Sequence, residues 1–546
     1  MKKISAIILA ALSLCQLASC GGDSSQGSGR GHMYNASLLN NPQSLDPQFA
    51  QDPSSATVIS NLYSGLMKYD SDGNLVCCNA LSYDISEDET VYTFHLREDN
   101  NWFFDSNDND KIENGEYFPV TADDYVFAFR RILDPDMKSP YAEQFSCIKN
   151  GESAIKGNTS SEYAGVYADD SFTLRIELEY PSAEFINLLA TNAACPCNED
   201  FFLATKGRYG LDDKSVMSNG AFFVRQWFYD PYGSNNILYM KKNSVNSYED
   251  DMVSPSYLSF TIEKNQSDIA ELFKSGDINC MTVMNKGSYN SKKYNIDAVR
   301  GTTLGLIFNR TDRVCSDINF RQALACATDR NFANSQISSD VTVAYGIIPP
   351  AVQLLGRSYR DLTDDSAIDC FDEKKAQSCM QTAKNNLNIQ TFDSIKILVN
   401  NDNLNTSYLH LITQRWQDIL GVYIGIEEVS SADFNKRLES GDYQIALYPL
   451  KGCCNSGIST FEALSECRYT EASAKLKENI DNMKKCAASS DLVELFSNAE
   501  RQAVQEYSFI PVFYKNEYLI SSKECDDIIF DVFSGAVNFR EAKYYD

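Results

Sequence analysis

The chain has 546 residues, enough for about two to four domains with substantial cores. A hydrophobic fraction of 43% is that of an ordinary globular protein rather than a disordered or membrane-filling one. The formal net charge of -27 opposes nucleic acid, whose binding depends on Lys and Arg neutralising phosphates, and opposes anionic membrane surfaces as well.

The chain opens with Met1-Lys2-Lys3, then a mostly apolar run from Ile4 to Leu17. That run is too short to span a bilayer and has the length of a signal-peptide core, so residues 1–20 read as a leader. It exits through Leu17-Ala18-Ser19-Cys20-Gly21, which resembles a bacterial lipobox with Cys20 as the acylated new N-terminus. Ordinary secretion with cleavage near Ala18 is the alternative. Residues 21–32 are Gly- and Ser-rich, cannot form a core, and read as a flexible tether. The expected plan is anchor, tether and folded body, lipid-anchored in the cell envelope and facing periplasm or exterior.

In the body, Leu38 to Phe49 contains Asn41-Pro42-Gln43-Ser44-Leu45-Asp46-Pro47. Val58, Ile59, Leu62, Tyr63 and Leu66 have helical spacing, and Tyr69 to Gly73 is a turn. Val91 to Arg97 alternates like a strand. Asp105 to Glu116 resembles an EF-hand-type loop: Asp105, Asn107, Asn109, Glu113 and Glu116 supply oxygens at the right places, and Lys111 a backbone carbonyl. Calcium there competes with a plain acidic surface insertion; no cofactor is otherwise required. Thr121 is a good N-cap, Asp123 and Asp124 favour the positive end of the helix that follows, and Pro135 stops it. Farther on, Ile395 to Val399, Tyr408 to Leu420 and Val422 to Ile426 read as strand, amphipathic helix and strand.

These segments, in order, resemble family 5 of the bacterial extracellular solute-binding proteins, the oligopeptide- and dipeptide-binding lipoproteins of ABC importers. The shared patterns are N-P-x-S-L-D-P, N-L-Y-x-G-L (Asn61 to Leu66), Y-T-F-x-L-R and V-T-A-x-D with R-R-x-x-D-P (Val120 to Pro135). Ser218-Asn219-Gly220, Phe308-Asn309, Arg321-Gln322-Ala323-Leu324, Asp329-Arg330, Ile348-Pro349-Pro350 and Ile510-Pro511 continue the series to the C-terminus. The resemblance implies an α/β, two-lobed periplasmic-binding-protein type II clamp with an extra subdomain in the first lobe. It places the first lobe at 33–75, 168–290 and 515–546, the subdomain at 76–167 and the second lobe at 291–514. It implies capture of a peptide between the lobes, a monomer that meets ABC permease subunits, and no partnership with nucleic acid.

Site residues follow from the same resemblance. Ser139-Pro140-Tyr141 matches a segment whose tyrosine faces ligand, so Tyr141 is the leading candidate. Gln51, Asp52 and Pro53 lie at a loop that contacts peptide. Met281, Thr282 and Val283 fall on an inter-lobe strand whose backbone can pair with an extended ligand. Tyr448 and Gly452-Cys453-Cys454-Asn455 align with the segment that recognises the start of the peptide. Oligopeptide binders carry there an aspartate that pairs with the α-ammonium; here Cys454 takes its place, so the amine finds another acid or the solute is not a free-amine peptide. Lys515 stands where a tyrosine is common and can meet an anionic group. An oligosaccharide, a nickel chelate or an opine remains an alternative solute, with nickel disfavoured by only 3 histidines, and a peptide sensor without transport an alternative role.

There are 17 cysteines, all but Cys15 and Cys20 in the body. That density suits an oxidising compartment and predicts disulfides, with Cys370–Cys379 and Cys453 or Cys454 with Cys467 as local pairs. The odd total leaves a thiol over, and buried reduced thiols are the alternative. No C-x-x-C, Gly-x-Ser-x-Gly, His-Glu-x-x-His or Walker loop occurs, so zinc and hydrolase readings lack their signatures. The chain is not expected to be an enzyme.

Overall fold

The structure is a computed structural model; it describes residues 32–545 apart from 110, 247–252, 337–341, 364–370, 393, 402–405 and 471–472. The leader, the tether and Cys20 therefore lie outside the described residues, as does Cys370.

The first lobe is built on a four-stranded sheet in the order Met33–Leu39, Tyr257–Glu263, Ile237–Lys242, Phe222–Phe228. The outer strand Met33–Leu39 runs parallel to its neighbour and the rest are antiparallel. The helix Pro53–Leu62 packs on it, started by Pro53 in the first turn and by the Asp52 side chain accepting from Ser55 N (2.9 Å), and it ends at Leu62, short of Tyr63 and Leu66, because Tyr63 is already extended.

A second four-stranded, antiparallel sheet carries the extra subdomain, in the order Ala80–Ile85, Val91–Leu96, Thr173–Glu177, Val166–Asp170. Val166–Asp170 straddles the expected boundary at 167, and the pairing continues through Thr173–Glu177. The helix Ala122–Leu133 covers the sheet. Thr121 caps it as expected, with its backbone N–H donating to the Asp124 carboxylate (2.8 Å), and the helix stops ahead of Pro135.

The second lobe surrounds a sheet of seven strands, ordered Cys280–Val283, Phe509–Ser522, Tyr294–Phe308, Ile445–Leu450, Ile395–Asn400, Ile424–Val429, with Thr342–Val343 pairing beside Phe509–Ser522. Ile395–Asn400 and Ile424–Val429 are parallel and joined by the helix Ser407–Leu420, the expected strand–helix–strand unit. Apolar cores fill both faces of this sheet. Its two longest strands, Tyr294–Phe308 and Phe509–Ser522, pair from Tyr294 opposite Ser522 to Ile307 opposite Phe509 and run out of the second lobe into the core of the first.

Most of the recurring motifs turn out to be buried polar fittings. Asp46 of the Ser-Leu-Asp-Pro segment meets Arg131 of the Arg-Arg segment (Oδ2–Nη2 2.6 Å), with side chains 9% and 4% exposed. Asn219 exchanges hydrogen bonds with the Ser64 backbone (3.1 and 2.8 Å), and its carbonyl accepts from Asn100 and Asn246. Arg321 and Arg330 donate to backbone carbonyls of Tyr507, Cys315, Ala344 and Pro511. Buried Glu500 accepts from the Ile347 and Ile348 amides (2.7 and 2.8 Å) and pairs with Arg360 (2.6 Å).

Among the described residues the cysteines form no disulfide, and most of them are buried. The expected pairing of Cys453 or Cys454 with Cys467 is not formed, and Cys379 is unpaired. Among the described residues no helix is long and apolar enough to cross a membrane.

Two substitutions test the buried fittings. Asp46→Asn removes the charge opposite Arg131 and is expected to destabilise the fold by about 3–5 kcal/mol, read as a lowered thermal midpoint, because it leaves an uncompensated buried cation. Gly220→Ala places a Cβ 2.7 Å from the Leu62 carbonyl oxygen; overpacking against backbone is expected to cost about 1–3 kcal/mol in the same measurement.

Candidate functional site

A cavity of about 780 Å³ lies between the lobes. Chain regions far apart in sequence make its walls. Lys68, Tyr69, Asp70 and Ser71 come from the turn after the Pro53–Leu62 helix, and Asn187 to Cys195 from the end of the first lobe's loop. The C-terminal run Asp526 to Ser534 closes another side. The second lobe adds Ala351, Gln353 and Cys453 to Asn455.

The chain termini are brought together by hydrogen bonds rather than by sequence proximity. Lys68 pairs with Glu541 (2.8 Å), Asn61 Nδ2 donates to the Val537 carbonyl (2.9 Å), and Arg540 donates to the Tyr63 carbonyl and the Ser64 hydroxyl (3.1 and 2.9 Å). The lining cations Lys68 and Arg540 are thus engaged with protein, and Asp527 pairs with Lys543, while Asp70, Asp297, Asp526 and Asp531 also line the walls. Burial, and then Asp526 beside it, raise the Asp297 carboxyl above its ordinary value.

Of the residues expected at the site, Gln51, Tyr141, Cys453, Cys454 and Asn455 line this cavity. The Tyr141 hydroxyl donates to the Ala50 carbonyl, and burial pushes it up to about 12. Cys453 N donates to the Ser459 hydroxyl (2.7 Å), which also lies 3.0 Å from Cys453 Sγ. Hydrogen bonding with Cys454 holds the Cys453 thiol below its ordinary value and pushes Cys454 up. Asn455 Oδ1 accepts from Gln353 N (2.7 Å), fixing the amide.

The other expected residues serve elsewhere. Asp52 is the N-cap of the Pro53–Leu62 helix, and the Pro53 ring packs beside Gly535. Met281 is buried with Ile269, Phe273, Ile278, Tyr518 and Ile520. Thr282 and Val283 pair through their backbones with Leu519 and Tyr518. Tyr448 stacks edge-on against Tyr469 (5.9 Å), and a side chain at Gly452 would meet the Ser459 hydroxyl at 2.8 Å. Lys515 is half-buried opposite Thr302 in the long ladder, where desolvation lowers its ammonium pKa and Glu517 opposes the shift. None of these side chains is on the cavity wall.

The candidate calcium loop connects the hairpin strands Asn101–Phe103 and Tyr117–Pro119, with no helix on either side. Glu116 accepts from the Ser106 amide and hydroxyl (3.1 and 3.0 Å), Asp108 pairs with Arg225 and Lys214, and Glu113 accepts from Asn107 and Asn109. Asp105 and the Asn109 carbonyl amide group bond to loop backbone, and Lys111 N donates to Asn109 Oδ1 (2.9 Å). Among the described residues no group of three or more His, Cys, Asp or Glu side chains is arranged to hold a metal ion.

Sequence reasoning missed Glu184. Its side chain is buried where the first lobe touches the second: Ser456 Oγ donates to Oε2, and the neighbouring Ala183 N donates to the Cys486 carbonyl (2.8 Å). Burial pushes Glu184 up to about 7, against the Ser456 hydroxyl that holds it down. No local pattern marks it, because its surroundings come from the other lobe. Asp526 to Ser534 was missed for the same reason.

Comparison with known proteins places this architecture. The model for bacterial extracellular solute-binding proteins, family 5 middle, matches residues 75–465. The oligopeptide-binding protein OppA of Bacillus subtilis is 24% identical over 100% of this chain and 99% of its own. A probable deoxycholate-binding periplasmic protein of Escherichia coli, YgiS, is 21% identical over 87% of this chain and 86% of its own. The structure of the pheromone receptor PrgZ, solved for its mode of peptide binding, superposes with a TM-score of 0.71 at 20% identity, covering 94% of this chain and 100% of that one. The clamp of two lobes, the ladder that joins them and the matched length agree: the chain belongs to the bacterial extracellular solute-binding proteins, family 5.

Proposed function

We propose that this protein captures peptides between its lobes and delivers them to ABC permease subunits from a lipid anchor at Cys20. As a solute-binding protein it is not an enzyme. The observation that carries the peptide reading is the cavity itself. At about 780 Å³, with both lobes in its walls, it has room for a short peptide rather than an ion. Its polar lining of Gln51, Gln144, Asn187, Asn192, Gln353 and Asn455 offers donors and acceptors suited to main-chain amides.

Hinge closure supplies the mechanism. A ligand that touches both walls stabilises the closed arrangement by its differential contacts, and the closed form is what the membrane partner would recognise. The ladder between Tyr294–Phe308 and Phe509–Ser522 loses regular pairing between Val299 and Thr302, where bending is least opposed.

Native mass spectrometry of protein purified from its host, followed by denaturation, is expected to release a spread of masses that fragment as peptides. A single non-peptide mass would overturn the peptide reading and leave the solute clamp intact. Cys20→Ser in the full chain is expected to abolish incorporation of labelled palmitate and to move the protein from membrane to soluble fraction. Unchanged labelling would remove the anchor.

A further inference from the structure

The strand Ile445–Leu450 ends at the rim of the cleft, and the irregular turn after it carries two neighbouring cysteines, Cys453 and Cys454. In a strand, successive side chains point to opposite faces. Here the backbone bends instead, and both cysteines line the main cavity as well as a side chamber of about 50 Å³. The Ser456 amide donates to the Cys454 carbonyl (2.8 Å) and the Cys453 amide to the Ser459 hydroxyl (2.7 Å), which holds the bend. The two thiols hydrogen-bond to each other. Cys453 is exposed and Cys454 buried.

We propose that Cys453 and Cys454 are a redox-modification site in the cleft wall, where two thiols interconvert with a disulfide between neighbouring residues. Cys453 is the reactive member. Its Sγ lies 3.0 Å from the hydroxyl of Ser459, in the first turn of the helix Gly457–Glu466, where the positive end of the helix favours a thiolate. Hydrogen bonding with Cys454 holds the Cys453 thiol below its ordinary value; burial opposes this and the Ser459 hydroxyl assists it. Cys147 also lines the chamber, but burial pushes its thiol up to about 12. Cys467 lines neither space and is hydrogen-bonded with the Tyr448 hydroxyl. Among the described residues no third His, Cys, Asp or Glu joins the pair in an arrangement that would hold a metal ion.

A small-molecule disulfide supplies the oxidant. The Cys453 thiolate attacks one of its sulfurs, the S–S bond breaks, and one half leaves as a thiolate that takes up the proton Cys453 had shed. The Cys454 thiol then loses its proton and attacks the Cys453 sulfur. The Cys453–Cys454 bond forms, and the second half leaves with that proton. Two protein thiols have lost two electrons and two protons, and one disulfide has become two thiols. The first step prepares the second. Hydrogen bonding with Cys453, then burial, then the Cys453 charge raise the Cys454 thiol, and the first and last of these vanish in the mixed disulfide. Consecutive Cα atoms stand about 3.8 Å apart, closer than the roughly 4.4–6.8 Å of ordinary disulfides, so the ring is strained and readily reduced. Closing it draws Cys453 Sγ off Ser459 and replaces two thiols in the cavity wall by one rigid apolar group.

The test treats the full chain, first reduced with dithiothreitol, with oxidised glutathione over a range of redox ratios. The reaction is quenched in acid, and remaining thiols are alkylated after denaturation. Cleavage after Lys451 and Glu462 leaves Cys453 and Cys454 on one peptide and Cys467 on another. Peptide 452–462 is expected to escape alkylation and to weigh about two mass units less than its dithiol form, and dithiothreitol is expected to restore alkylation. Cys454→Ala is expected to stop with glutathione on Cys453; Cys454→Ser gives the same reading if the alanine variant does not fold. Cys453→Ala is expected to leave buried Cys454 unmodified. Alkylation of both cysteines at every ratio overturns the proposal, as does a bridge to Cys467 or Cys147, or glutathione that stays on Cys453 of the unaltered chain. Glutathione on Cys454 in the Cys453→Ala variant overturns the assignment of Cys453 as the reactive member. The readout needs no solute, so none of these results bears on the peptide reading.

Discussion

The antiparallel ladder between Tyr294–Phe308 and Phe509–Ser522 is the constraint on which the molecule's behaviour depends. One end lies against Cys280–Val283 and contributes Leu519 to the first lobe's core; the other is flanked by Ile445–Leu450 and carries Leu306, Phe308, Ile510 and Val512 into the second lobe. Main-chain hydrogen bonds along both ends fix register within each lobe. The interruption around Arg300 and Gly301 leaves few such bonds at mid-span. A side chain at Gly301 would strike Val532 at 2.4 Å, so the crossing can run close under the C-terminal segment that walls the cavity. Two lobes joined by this ladder, whose register shifts between Val299 and Thr302 and again between Leu304 and Gly305, have the architecture of a clamp.

Around that ladder, polar groups are divided between two tasks. Asp46 with Arg131, Asn219 with Ser64, and Glu500 with Ile347, Ile348 and Arg360 are satisfied inside protein and hold loops that lack regular structure. Their removal harms folding because each leaves a buried partner stranded. The cavity polar groups are different. Gln51, Asp297 and Asn187 line the cavity between the lobes.

The departure at Cys454 gains meaning from the same geometry. The loop Lys451 to Asn455 is shaped by Gly452 against Ser459 and by the Cys453 amide on the Ser459 hydroxyl, without a disulfide. It brings the Cys454 thiol, with its pKa pushed upward, to the cavity wall.

The linear order of short motifs pointed to the family and the α/β class, and local signals to the capped helix Ala122–Leu133 and the strand–helix–strand unit from Ile395 to Val429. These depend on periodicity, caps and turns, whose physics acts over a few residues. The resemblance also named Asp52 and Met281, whose side chains serve a helix cap and a core. Only the tertiary structure decided that Asp526 to Ser534 lines the cavity, that the described cysteines form no disulfide, and that Glu184 meets Ser456 from 272 positions away. Burial and partnership across such separations are created by packing two lobes together, and no window along the chain contains them.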